Sequence, residues 1–204
     1  MVVESIKELV LKYKKIGVFV SGGLDSGLMF YLFHKYRKEL GTNNEFRVYT
    51  VERPNQSLLF ANRVVKWVQE EFGETYEINK VGTDKIHHSL HIISGILDAG
   101  ADDTEIFVLA DTIIPGEVPN GPKRRHIQHP KVSQPWIFIA KDKIVEVAIK
   151  LDLTDLMTVS HSCEMPDLIP CRVCWHCRER AWAFWRCGYT DPLSVQIRTT
   201  NWFY

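Results

Sequence analysis

Long apolar runs are missing from this 204-residue sequence. None approaches the roughly 18–20 residues of a membrane span, so no membrane partner is expected. An excess of one charge is missing too: 25 Lys and Arg face 25 Asp and Glu, for a formal net charge of zero. Nothing global steers such a chain to nucleic acid or to an anionic surface, and nucleic acid is not required as a partner. The opening MVVESIKELVLKYKK is amphipathic and lacks the layout of a secretion signal, so a cytoplasmic location is expected. There is no internal repeat, no low-complexity tract, and no Ser-His-Asp set or other covalent nucleophile that the chemistry below would need. Cysteine is scarce, five residues in all, yet four of them crowd between Cys163 and Cys177. That clustering argues against a disulfide framework and for a metal site in a reducing compartment.

The 45% hydrophobic content supports a sizeable core, and the length suits one domain or one with a small appendage. Helical spacing at Val3, Ile6, Leu9 and Val10 opens the chain, and KIGVFV reads as a buried strand. DSGLMFYLFHKYRKEL is a helix with Asp25 or Ser26 near its N-cap and Gly41 as its stop. FRVYTVE, TYEINKV and EIFVLAD are further strands. SLLFANRVVKWVQEEFG, ending at Gly73, and HHSLHIISGILDAG are the helices between them. Strand alternating with helix predicts an α/β fold with a doubly wound parallel sheet. After Asp111 the stretch TIIPGEVPNGPKRRHIQHPKVSQP is loop-like, KDKIVEVAIKLDL returns to helix, and a cysteine module closes the chain. The boundaries predicted are an α/β domain over 1–158 and a C-terminal metal-binding module over 159–204.

The first β–α junction reads VFVSGGLDSG. Glycines let a ligand approach the main chain, and the helix behind them presents unpaired N–H groups and a positive dipole end. Val20, Ser21, Gly22, Gly23, Leu24, Asp25, Ser26 and Gly27 are therefore the candidate phosphate-binding loop. Asp25 would repel phosphate unless it contacts Mg²⁺ or caps the helix. The loop is neither G-x-x-x-x-G-K-[ST] nor G-x-G-x-x-G, and it has no lysine of its own. The SGGLDS string is similar to the signature of the PP-loop ATP pyrophosphatases. That resemblance implies an adenine nucleotide alpha-hydrolase-like, Rossmann-like fold that holds the β,γ-pyrophosphate of ATP while the α-phosphorus is attacked.

The second motif is C-x7-C-x2-C-x2-C, formed by Cys163, Cys171, Cys174 and Cys177. Four thiolates suffice for a tetrahedral Zn²⁺ site, which would be structural. An iron–sulfur cluster is the other option, and His161 and His176 are alternative ligands. Cys187 stands apart as a packing residue. The run CRVCWHCRERAWAFWRCGYTDP resembles the C-terminal module of the 7-cyano-7-deazaguanine synthases. Cys171, Cys174, Cys177, Arg180, Ala183, Phe184, Gly188, Asp191 and Pro192 fall on that family's pattern. Lys141 falls on its lysine, and Cys163 on its first zinc ligand. The resemblance covers both ends of the chain and fails in the middle. The family's V-P-x-R-N segment is replaced by KIHHSL, with His87 and His88 at the Arg-Asn positions. Its D-Y-S-G-Y-P-D-C-R run is replaced by ADTIIPGEVPNGPKRRH. The glycine of its C-G-x-C is Arg172 here, and Glu164 stands where it has tyrosine.

The resemblance implies an enzyme that uses ATP and Mg²⁺ to adenylate a deazapurine-like carboxylate and converts it with ammonia to an amide or a nitrile. It also implies a homodimer. Asp25, Ser26 and Lys141 are the candidate catalytic residues. Asp111, at the end of the fourth strand, could face Mg²⁺ or a substrate amine, or cap a turn. Arg124 and Arg125, beside Lys123, could clamp an anion or form a solvated loop. His87 is a further substrate-side candidate. Arg180 could reach the nucleotide or pair within its own module. Two alternatives to ligase activity stand: sulfur transfer to tRNA, which needs a reactive cysteine near ATP, and a non-catalytic ATP-binding interaction module.

Overall fold

The computed structural model describes residues 1–51, 56–81, 92, 94–97, 103–113, 116, 118, 126–165 and 167–195. Five parallel strands form one sheet in the order β3-β2-β1-β4-β5. They are β1 (Lys15–Phe19), β2 (Glu45–Thr50), β3 (Ile78–Lys80), β4 (Ile106–Val108) and β5 (Val132–Ser133). The expected strand–helix alternation is thus an all-parallel sheet with β1 at its centre. In the register, Val18 lies between Val48 and Val108.

Side chains alternate across a strand, so the strands β1, β2 and β4 feed two cores. Ile16, Val18, Phe46, Val48, Ile106 and Val108 face a main core filled by α1 (Val2–Lys12), α2 (Leu24–Leu40) and α3 (Ser57–Phe72). Their neighbours Phe19, Tyr49 and Phe107 face the opposite side, where they pack with Ile92 and Ile96. Burial on both faces is what a doubly wound sheet requires. The helix expected around Ile92 lies partly outside the described residues; Ile92 and residues 94–97 are helical.

The C-terminal part adds α4 (Lys141–Lys150), α5 (Thr154–Val159), α6 (Trp175–Arg186) and a final turn, α7 (Pro192–Val195). Ala183 and Phe184 of α6 are buried in the same core as α2. Trp136 is fully buried, and its indole Nε1 donates to Val2 O at 3.1 Å, tying the link before α4 to the N-terminal helix. Among the described residues, no helix is long and apolar enough to cross a membrane.

The structure departs from the sequence reading in two places. Val132–Ser133, read as loop, is a strand paired with Phe107 and Val108; two residues are too few to show an alternation. The helix α5 carried no recognisable start signal and is fixed by burial of Leu156 and Met157. As expected, Asp25 and Ser26 lie near the N-cap of α2, which is Gly23 and has no side-chain cap bond. Those two side chains are engaged elsewhere.

Candidate functional site

β1 is the strand from which the chain leaves toward β2 on one side and is met by β4 on the other. Ligands of open α/β sheets collect at the carboxyl ends of strands at such a switch point. There Val20 N–H still bonds Tyr49 O at 2.8 Å, and the chain then turns through Ser21, Gly22 and Gly23. Gly22 has φ +84, and a Cβ on it would lie 2.5 Å from Phe60 Cβ and 2.6 Å from Phe60 C, so no other residue fits. The loop is braced from within. Ser26 Oγ accepts from Ser21 N–H at 3.1 Å and donates to Gly23 O at 3.1 Å. The Ser21 and Ser26 hydroxyls also meet at 3.1 Å. Gly27 N–H makes the first intrahelical bond, to Gly23 O at 3.0 Å. The N–H groups of Leu24, Asp25 and Ser26, ahead of it, have no carbonyl within the helix to bond. Gly27 itself admits close neighbours: a Cβ there would touch Leu156 Cδ1 and Val64 Cγ1, each at 3.0 Å. This packing draws α5, and the segment after it, against the loop.

Asp25 does not cap the helix because a buried lysine claims it. Lys141 Nζ lies 3.0 Å from Asp25 Oδ2 and 2.9 Å from Glu179 Oε2. Lys141 is the first residue of α4, Asp25 lies in the first turn of α2, and Glu179 is on α6. One ammonium thus lies between two carboxyl groups in a buried place. Glu179 is completely buried, and its second oxygen, Oε1, has no hydrogen-bond partner. Sequence reasoning missed this residue. Flanked by Arg178 and Arg180, it looks like one more solvated charge. The signal available was its place two residues beyond Cys177.

The segment after α5 also touches the loop. His161 N–H donates to Gly22 O at 2.7 Å. Its ring stacks on Phe60 with centroids 3.8 Å apart and planes 7° from parallel. Burial, with help from Arg180 and Arg63, brings the His161 pKa down to about 4, so the ring is neutral at neutral pH. Arg180 is the local clamp. It bonds Asp191 through Nε and Nη2 at 2.8 and 2.9 Å, Met157 O at 2.6 Å and Ser160 Oγ at 2.9 Å. Of its two readings, pairing within the module is the one observed.

The four sulfurs of Cys163, Cys171, Cys174 and Cys177 lie within 4.8 Å of one another. Thiolates bound at about 2.3 Å to one tetrahedral zinc sit ~3.8 Å apart, so the set fits a single ion. A [4Fe–4S] cube spreads its thiolates over separate irons and needs them wider apart. Backbone N–H groups converge on the sulfurs. Met165 and Cys171 donate to Cys163 Sγ at 3.4 and 3.3 Å, and Cys174 donates to Cys171 Sγ at 3.3 Å. Burial pushes the Cys163 and Cys177 thiols up. At Cys171 burial acts the same way but is outweighed by bonds from Cys174 and Val173, which bring its pKa to about 7. The histidines considered as ligands are used otherwise. His161 stacks on Phe60, and His176 packs on Trp175 and lies 3.2 Å from Glu164. Cys187 packs partly buried against the core and donates to Asp142 O at 3.3 Å.

Asp111, just past β4 on the loop's side of the sheet, accepts from Gln134 Nε2 at 2.6 Å. His87, His88, Lys123, Arg124 and Arg125 lie outside the described residues. The structure thus brings together the loop, Lys141 and the cysteine module.

No protein-family model matches the sequence, and no curated protein does. Solved structures do. The U34-tRNA thiolase NcsA from Methanococcus maripaludis, determined with its [4Fe–4S] cluster, aligns over 97% of this chain and 76% of its own at 16% identity, with a TM-score of 0.55. The NMN synthetase from Francisella tularensis aligns over 96% of this chain and 87% of its own at 10% identity, with a TM-score of 0.51. The chain shares the fold of both.

Proposed function

We propose that the chain is a PP-loop ATP pyrophosphatase acting as an ATP-dependent carbon–nitrogen ligase, similar to the 7-cyano-7-deazaguanine synthases. It would activate a small, deazapurine-like carboxylate by adenylation and pass it to ammonia. The observation that carries this reading is the contact of Lys141 with Asp25 at the mouth of the Ser21–Gly27 loop. The loop supplies glycine backbone, hydroxyls and a helix start but no cation; Lys141 supplies the cation from a distant helix. Such charge, placed before the substrate arrives, is what phosphoryl and nucleotidyl transfer need.

In this reading the loop amides and Ser21 hold the β,γ-pyrophosphate, and Ser26 keeps the loop in shape. Lys141 faces the phosphate oxygens where charge builds up. Mg²⁺, with Asp25 as its protein ligand, would neutralise part of the triphosphate charge. A carboxylate oxygen of the acceptor attacks the α-phosphorus, the bond to the bridging oxygen breaks, and pyrophosphate leaves with the electron pair. Ammonia then adds to the acyl carbon and AMP leaves, with loss of a proton, to give the amide. A nitrile takes a second ATP: the amide oxygen displaces pyrophosphate and departs on AMP as two N–H protons are lost. Asp111, with His87, Arg124 and Arg125, would face the acceptor. Residues 159–204 would form the zinc module, with Cys163, Cys171, Cys174 and Cys177 closing a structural site that has no open position.

Sulfur transfer to tRNA is the competing enzyme reading, favoured by the fold likeness to a tRNA thiolase. Against it, four cysteines are gathered in one cluster. In the fifth, Cys187, burial and the carboxylates of Asp142 and Glu146 push the pKa up, away from a reactive thiolate. The test is ATP-dependent pyrophosphate release by the zinc-loaded protein with 7-carboxy-7-deazaguanine and ammonium, with the product followed by mass. An amide or nitrile with a stoichiometric pyrophosphate signal is expected. Release no greater than that of Asp25→Ala removes this acceptor. A signal that requires tRNA favours thiolation, and nucleotide binding without turnover on any acceptor favours a binding module.

A further inference from the structure

We propose that the four-cysteine centre sets the shape of the nucleotide loop through two struts, and that Glu179 is the positioning residue of the second. The inference deepens the reading above and rests on the loop being a nucleotide site. Each strut begins two residues from a cysteine of the cluster. Two residues before Cys163, His161 donates its backbone N–H to Gly22 O at 2.7 Å, at the glycine whose left-handed backbone makes the loop's turn. Two residues after Cys177, Glu179 holds Lys141 Nζ at 2.9 Å, and Lys141 in turn lies 3.0 Å from Asp25 Oδ2. The same cluster that closes around one ion therefore grips the loop at both ends, at Gly22 and at Asp25.

Helix α6 makes the second strut rigid. Cys174 is its N-cap and Cys177 lies in its first turn, so an ion bound to the four thiolates fixes the start of the helix on which Glu179 stands. Arg180 then pins the next residue position to Asp191 and to Met157 O, at 2.6 Å for the latter. Glu179 has no access to solvent and touches no metal ligand set of its own. Its contact with Lys141 pulls the ammonium from behind. Asp25 is thereby tied to α6 through the ammonium.

The first measurement is hydrogen exchange of the peptide spanning residues 20–28, compared between zinc-loaded wild type and zinc-loaded Glu179→Gln. The substitution keeps the size and one acceptor oxygen for Lys141, replaces the other oxygen by an NH2 donor, and removes the charge. Metal content and far-UV circular dichroism should match the wild type. Exchange of the loop amides should rise, and the Kd for Mg-ATP should rise about tenfold, the scale of one charge-assisted hydrogen bond. Stripping zinc from the wild type should raise exchange in the same peptide. Stripping the variant should add less than stripping the wild type, because the second strut is already weakened and only the first, at Gly22, remains to be lost. Unchanged exchange in zinc-loaded Glu179→Gln overturns the proposal, whatever the affinity does. Full additivity of the two perturbations also overturns it. Raised exchange in a protein that binds no ATP keeps the strut and removes the nucleotide reading. Should the stripped chain unfold, the comparison of the two zinc-loaded proteins decides alone.

Discussion

Arg172 holds its backbone at φ +63, in the left-handed region where a side chain costs about 1 kcal/mol or more. It stands at the second position of C-x2-C, where the resembled synthases have glycine. The turn that glycine makes is kept here, because its purpose is to aim N–H groups at sulfur: the Arg172 N–H itself bonds Cys177. Arg172→Gly should therefore raise stability by about 0.5–1 kcal/mol at constant zinc content, read as a higher urea midpoint. A drop would mean that the arginine side chain holds something that outweighs its backbone strain. His34 gives the pH prediction. It is buried in α2 among the rings of Phe30, Phe46, Phe72 and Tyr76 at 4.7 to 5.2 Å, and burial, with Arg37, brings its pKa down from 6.5 to about 3. The depressed value means that the unfolded chain binds the proton first. The stability contributed by neutral His34 is whole above pH 6.5 and falls as the pH drops toward 3. The slope is up to about 1.4 kcal/mol per pH unit. His34→Phe should flatten the urea midpoint against pH by that amount relative to wild type. Loss of metal in acid is common to both proteins and cancels in the comparison.

At the scale of elements, α6 carries a metal end and a core end on one rod. Cys174 and Cys177 sit at its start, and Ala183 and Phe184 are buried with α2 and the sheet further along. A module that merely leaned on the α/β domain would unfold by itself, but shared side chains couple the two parts. Phe184→Ala should cost about 3–5 kcal/mol, the usual range for emptying a buried aromatic site. Zinc removal should act in the same direction by freeing the first turn. Both should shift one urea transition, seen alike by circular dichroism and by tryptophan fluorescence. Two separated transitions in Phe184→Ala would show instead that residues 159–204 fold as an independent unit.

At the scale of the whole molecule, what the sequence revealed follows a physical line. The sheet and the long helices were legible because their apolar periods run long enough to read, and Gly41 and Gly73 stop α2 and α3 as expected. The turn was legible because two glycines separate a strand from a helix, and Gly22 does take the left-handed backbone that such a turn needs. The four cysteines were legible from spacing alone, and Lys141 through resemblance. β5 is two residues long and α5 six, too short for a period. Glu179 was invisible for a different reason: its charge is local but its partner Lys141 is 38 positions away in sequence. A site assembled in this way, from β1, α2, α4 and α6, predicts its own effect on stability. A ligand that bridges elements distant in sequence binds only the assembled fold, so it must stabilise all of it. Mg-ATP at 100 times its Kd should add about 2.7 kcal/mol. For a domain of this size, at about 2–4 °C per kcal/mol, that is a Tm rise of roughly 5–10 °C. Pyrophosphate with Mg²⁺ should give part of the rise, because it fills the loop without the nucleoside. Lys141→Ala should lose most of it if the proposed phosphate-facing cation is the one that α4 supplies. A full rise in Lys141→Ala would place the phosphates elsewhere on the chain.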